Sequence, residues 1–279
     1  IVARACVTRR PAGAADVDTT MGCGWYECID DHNTAAMLLE AVRAYARHEG
    51  YSTLIGPING STWHRYRFAD PSTSPPFFLD VHNKPWYVSQ WRENGMHEIA
   101  EFASTIFDGL ASYGDADPRL QKQRDGGIVL RQIRVDDIEN ELRAIHSISI
   151  EGFKDNYLYS PISVDDFMAL YRPVIPLVRP ELVLIAENAE AAPVGFVFAV
   201  DNIVERTRRS LVMKSAAVLP AYRGIGLGHH LLETVHRSAH ESGYDQIIHA
   251  LMHQTNRSTA ILSDRAQPYR TYRLFACEL

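Results

Sequence analysis

The sequence predicts an α/β protein built from two tandem copies of one strand–helix–strand unit. Two observations carry that expectation: an internal repeat, and a glycine-rich turn between a strand-like and a helix-like run. Shifted by 193 positions, residues 38–55 meet 231–248 with eight identities in eighteen positions. Leu38-Leu39-Glu40 falls on Leu231-Leu232-Glu233, and Gly50-Tyr51 on Gly243-Tyr244. Self-similarity of this kind sets the architecture before any single element is assigned.

Each element then follows from periodicity. In the second copy, 211–218 is a short apolar run suited to a buried strand. Leu227, Leu231, Val235 and Ala239 recur every four positions, the apolar face of a helix. Gly243 ends that helix, and 246–251 resumes as a strand. In the first copy Asp31 or Asn33 caps a helix carrying Leu38, Val42, Tyr45 and Ala46; Gly50 stops it, and 52–58 is the next strand. A strand at 128–134, helices at 138–153 and 164–171 and a strand at 182–186 precede the second unit without counterpart in the first. The chain is therefore expected to begin partway through its first domain. The polar stretch GDADPRLQKQRDGG at 114–127 reads as a linker. The expected organisation is a domain at 1–113, the linker at 114–127 and a domain at 128–279.

Composition narrows the class of function. At 46% hydrophobic and 22% charged, the chain is an ordinary globular one, able to bury a core in each half. A formal net charge of -6 gives no general attraction to nucleic acid or anionic lipid. The densest basic cluster, 205–209, has three arginines and reads as a solvated hairpin turn. No apolar run reaches the roughly 18 residues of a membrane span. Cys6, Cys23, Cys28 and Cys277 form no C-x-x-C pair and suit a reducing, cytoplasmic setting; no metal site is expected.

The chemistry concentrates in Val218-Leu219-Pro220-Ala221-Tyr222-Arg223-Gly224-Ile225-Gly226-Leu227-Gly228. Glycines there let the backbone turn tightly and approach a ligand. The helix start supplies unpaired N–H groups and about half a positive charge, suited to a pyrophosphate. The order of residues is neither a Rossmann G-x-G-x-x-G with its later acid nor a Walker Gly-Lys-Ser/Thr.

It closely resembles the V-x-P-x-[Y/F]-R-G-x-G-[L/I]-G turn of the GNAT N-acetyltransferase superfamily. That resemblance implies two tandem GNAT-like domains, each a mixed, mostly antiparallel twisted sheet flanked by helices. Acyl-CoA, most often acetyl-CoA, would lie where two central strands splay apart. By the same resemblance Arg223, Gly224, Gly226, Leu227 and Gly228 form the pyrophosphate turn, and the backbone of Val218 and Leu219 meets the pantetheine arm and thioester. Asn256 matches an asparagine that family members place beside that arm.

Two departures limit the carry-over. Where many members have a tyrosine to protonate the leaving thiolate, this chain has Ser263, and 211–218 has no carboxylate to act as base. Tyr269 is the leading substitute acid, or a water near Ser263; Tyr272, His249, His253 and Glu151 are further candidates. At the ungapped offset, Asp30-Asp31-His32-Asn33-Thr34-Ala35 lies over 223–228, so the first copy is expected to be degenerate. Its segment 86–107 still resembles the family's closing helix and strand. Pro75, Pro76, Phe77, Phe78, Trp63 and Trp86 give it an aromatic surface that either packs between domains or walls an acceptor pocket. The expected activity is transfer of an acyl group from CoA to a small-molecule amine; the alternative is a non-catalytic acyl-CoA-binding regulator or scaffold.

Overall fold

In the computed structural model, residues 1–9, 19–113, 127–253 and 266–279 are described. The first half contributes β1 (Ala3–Arg9), β2 (Thr20–Cys28), α1 (His32–His48), β3 (Thr53–Gly56), β4 (Phe68–Ala69), α2 (Tyr87–Glu93) and β5 (His97–Phe107). The second contributes β6 (Val129–Gln132), α3 (Ile138–Gly152), α4 (Val164–Tyr171), β7 (Val183–Glu187), β8 (Pro193–Asp201), β9 (Ser210–Val218), α5 (Leu227–Glu241), β10 (Gln246–His253) and β11 (Gln267–Glu278). The result is a mixed, mostly antiparallel sheet flanked by helices.

The two helices of the repeat form for the reason their spacing suggested. Leu39, Val42 and Ala46 are buried on α1, and Leu227, Leu231, Val235 and Ala239 on α5. Each covers one face of its own parallel strand pair, β2 with β3 and β9 with β10.

The halves do not keep separate sheets. The strands run in the order β1-β2-β3-β11-β5-β10-β9-β8-β7-β6, with β4 added to β11. The last strand therefore lies between β3 and β5 of the first half, while β5 lies between β11 and β10. The cores follow the exchange. Phe275 and Cys277 of β11 pack with Leu39, Leu54 and Trp91; Phe107 of β5 packs with Leu211, Leu231 and Ile247. The four cysteines are unpaired, Cys6 exposed and the others buried.

Strand register refines the repeat. Thr20 pairs with Thr53, and Ser210 with Gln246, so β2 and β9 correspond at a shift of 190, not the 193 of the helices. The connection from β2 to α1 is only residues 29–31, whereas residues 219–226 join β9 to α5. The first copy thus has a shorter turn, which the ungapped offset concealed.

Candidate active site

Strands β9 and β10 are paired from Ser210–Gln246 to Met213–His249 and then diverge. Beyond that point β9 continues through Lys214 to Val218, while β10 stays paired with β5 on the edge away from β9 through a bulge that includes Leu251. On its other edge Leu219 N–H donates to Val194 O (2.9 Å). Since the bonding edge alternates along an antiparallel strand, the Val218 N–H points away from β8, into the gap. Val218 is thus placed to meet a ligand there; Leu219 has already given its N–H to β8.

Beyond the gap the chain enters the glycine turn. Gly224 and Gly226 have φ +83° and +85°, the left-handed region where a Cβ is strained. Gly226 is the N-cap of α5 and offers no side-chain cap, and a Cβ built on Gly224 would meet nothing within 4 Å. That open, uncapped helix start suits the phosphates of a CoA. Leu227 is buried and anchors the helix start, while Gly228 rests near Val218. Arg223 faces the other way: its Nη2 donates to Gly152 O (2.7 Å), its Nε to Val218 O (3.2 Å), and its Nη1 lies 3.5 Å from Asp155. It ties the turn to the C-terminus of α3, where a cation is favoured. In the first copy Asp31 caps α1 itself, accepting from Thr34 N–H at 2.7 Å.

The gap opens into a cavity of about 680 Å³ walled by both halves, with Trp63 and Arg67 on one side and Tyr157 and Lys214 on the other. Trp63 is fixed by Nε1–H donation to Ser160 O (2.7 Å) and edge contact with Phe167. Phe77 is fully buried against α3 and α4 residues, whereas Trp86 bonds Cys28 O within its own half. The aromatic surface therefore divides: Trp63 walls the cavity and Phe77 packs between the halves.

Lys214, Arg67 and Asp80 were not singled out by the sequence. Lys214 is the extra residue of a bulge in β9, between Met213 paired with Ala199 and Ser215 paired with Phe198. Its Nζ donates to Leu79 O at 3.2 Å. Burial, then the charge of Arg67, lowers its pKa to about 7, partly opposed by Asp80. Arg67 is buried, stacks over the Tyr66 and Phe102 rings, and donates to Leu251 O (3.3 Å). Asp80 accepts from Tyr272 O–H (2.8 Å) and Val81 N–H (2.7 Å) and lies 3.1 Å from Arg270 Nε. A lysine inside an otherwise uncharged strand was the one available signal. Nothing in the sequence around Arg67 marks it.

The predicted acid–base residues fare differently. Tyr269, at a bulge of β11, donates its hydroxyl to Pro75 O (2.9 Å) and is not among the cavity walls. Tyr272 is buried, with its hydroxyl between Asp80 and Ser104. His249 lines the cavity but is held neutral by burial and by His236, whose Nε2 is 2.9 Å from its own. His253 stacks on Tyr157, its pKa lowered by burial and by Arg67. Glu151 pairs with Lys154 at the surface. Ser263 and Asn256 lie outside the described residues. Among the described residues no cluster of His, Cys, Asp or Glu is arranged for a metal, and no helix is long and apolar enough to cross a membrane.

A splayed strand pair beside an uncapped glycine turn is the arrangement that the GNAT resemblance implies at an acyl-CoA site. Residues 143–261 match the acetyltransferase (GNAT) family. The chain is 23% identical over 184 residues to Protein YghO of Escherichia coli strain K12, covering 65% of the chain and 47% of that protein. It thus spans about half the length of this curated relative. A GCN5-related N-acetyltransferase from Sphaerobacter thermophilus superposes with TM-score 0.56 at 13% identity, over 99% of this chain and 76% of its own. A tandem GNAT protein from the clavulanic acid biosynthesis pathway gives 0.53 at 13% identity, over 93% and 75%. At such identities the likeness is one of fold.

Proposed function

We propose that the chain moves an acetyl group from acetyl-CoA to the amine of a small molecule bound in the cavity between its halves. The divergence of β9 from β10 directly beside the uncapped turn is the observation that carries this reading. Residues 223–228 hold the pyrophosphate, with Arg223 bracing the turn, and Val218 N–H faces the thioester carbonyl. Acetyl-CoA supplies the activated acyl group; the chain positions the amine and manages its proton.

The cavity replaces a carboxylate base with a field. Asp80 is engaged by Arg270, whereas Arg67 and Lys214 face the same space. Nearby cations and burial both disfavour an ammonium, so the amine is held in its neutral, nucleophilic form. Positioning then supplies much of the rate. A water protonates the departing sulfur, whose thiol pKa, near ~8.5 by analogy with cysteine, asks for little help.

The first copy takes no CoA in this reading. Its turn is residues 29–31 only, and Asp31 already occupies the helix start that an anion would need. The division into a degenerate domain at 1–113, a linker at 114–127 and a catalytic domain at 128–279 belongs to the same proposal, with two strands exchanged.

The test is release of free thiol from acetyl-CoA with a broad panel of amines. The expected result is amine-dependent release that Gly226→Asp abolishes. Acetyl-CoA binding without transfer to any amine would favour a binding protein and overturn the reading.

A further inference from the structure

The polar end of the cavity has a charge imbalance. Arg67, Lys214 and Arg270 surround one carboxylate, Asp80, and that carboxylate is engaged by Arg270, Tyr272 and the Val81 amide. Among the described residues neither Arg67 nor Lys214 has a carboxylate at ion-pair distance. Their side-chain partners are the neutral carbonyls of Tyr66, Leu251 and Leu79. Removing cations from water without an anionic partner is expensive, and the cost falls when a ligand supplies the anion.

The backbone is strained around the same pair. Among the described residues six non-glycine residues have positive φ, and four of them, Trp25, Arg67, Leu79 and Leu251, line this cavity. Arg67 itself stands at φ +69°, and the carbonyls it and Lys214 hold belong to Leu251 (+61°) and Leu79 (+64°). Left-handed conformations are costly for such side chains and persist where the surroundings impose them, often at ligand sites. Two cations and the carbonyls that orient them are therefore held in a fixed arrangement open to the cavity.

We propose that the amine acceptor carries a carboxylate, and that Arg67 and Lys214 seat it at the closed end of the cleft. This rests on the acyl-transfer reading above and adds the acceptor's class to it. The planar guanidinium of Arg67 matches a carboxylate, with Lys214 adding a point charge. Lys214 precedes Val218 by four residues, about 13 Å along an extended strand, on the side away from the glycine turn. The pair is thus set apart from the phosphates that the turn would hold. An amino acid, or another amine carrying a carboxylate, fits this arrangement better than a neutral or polycationic amine.

The experiment compares amino acids with their own amides as acceptors in the thiol-release assay, using the full chain. Acids should exceed amides in kcat/KM by about tenfold or more, the usual effect of a charged hydrogen-bonded partner. Arg67→Met and Lys214→Met should each shrink that preference towards unity. Amides used as well as acids, or a preference unchanged in both variants, overturns the proposal.

A second readout stands apart from turnover. Phenylacetate and phenylacetamide are titrated against the tryptophan emission of the CoA-saturated protein, since Trp25 and Trp63 line the cavity. Phenylacetate should bind at least about tenfold more tightly than the amide, and both variants should lose that difference. If this holds while no amine is acetylated, the anion seat stands and the transfer reading falls. Equal binding of the two probes refutes the seat whatever the turnover. Should Arg67→Met fail to fold, Lys214→Met decides alone.

Discussion

Lys214 shows what a single residue can reveal and what the sequence conceals about it. Six of the nine residues in Ser210–Val218 are apolar, and the lysine is the one charge among them. Without the fold it reads as a solvent-facing position on an alternating strand. The bulge that turns it into the cavity depends on the pairing of β8 with β9, which periodicity does not encode. Its energetics give a prediction with a definite sign. The native pKa, about 7, lies below the ordinary 10.5, so between these values the unfolded chain binds a proton that the folded one does not. Stability from this group therefore rises with pH from about 7 to 10.5, and its burial cost is complete below about 7. Lys214→Met should raise Tm at pH 6, by on the order of a few kcal/mol of stability, and the gain should shrink by pH 9.5. Thermal unfolding of both proteins at the two pH values measures this; an equal or growing gain at high pH would contradict it.

At the scale of elements, the repeat was legible because helices announce themselves by a four-residue apolar spacing. Leu231, Val235 and Ala239 are buried on α5 and the matching Val42 and Ala46 on α1, where Leu39 is buried more fully than Leu38, the match of Leu231. Which neighbour a strand chooses was not legible. Both β5 and β11 read as strands, but their sequences do not say that each completes the other half's core. The consequence is testable with a fragment of residues 127–279. It lacks β5, so β10 loses one neighbour and the surrounding core loses Phe107 and Leu110. Removal of one buried phenylalanine side chain costs about 3–5 kcal/mol, against a total stability of about 5–15. The fragment should be poorly folded alone and recover when mixed with residues 1–113. Size-exclusion chromatography and circular dichroism report this; a monodisperse, fully active fragment would show that the first half is dispensable.

For the molecule as a whole, the turn and the cavity differ in how much sequence they need. Val218 to Gly228 is one continuous run, so its chemistry could be read directly. The cavity joins Arg67 and Asp80 from one half to Lys214 and His249 from the other, and only the shared sheet brings them together. The first-copy turn was misaligned by the ungapped offset, because the loss lies in a loop whose length no helix or strand period constrains. One CoA site per chain is therefore expected, despite two copies of the unit. Titration calorimetry of the full chain with acetyl-CoA tests this most directly. One site per chain, lost in Gly226→Asp and retained in Asp31→Ala, is the predicted result. Two sites per chain, or binding unchanged in Gly226→Asp, would contradict it.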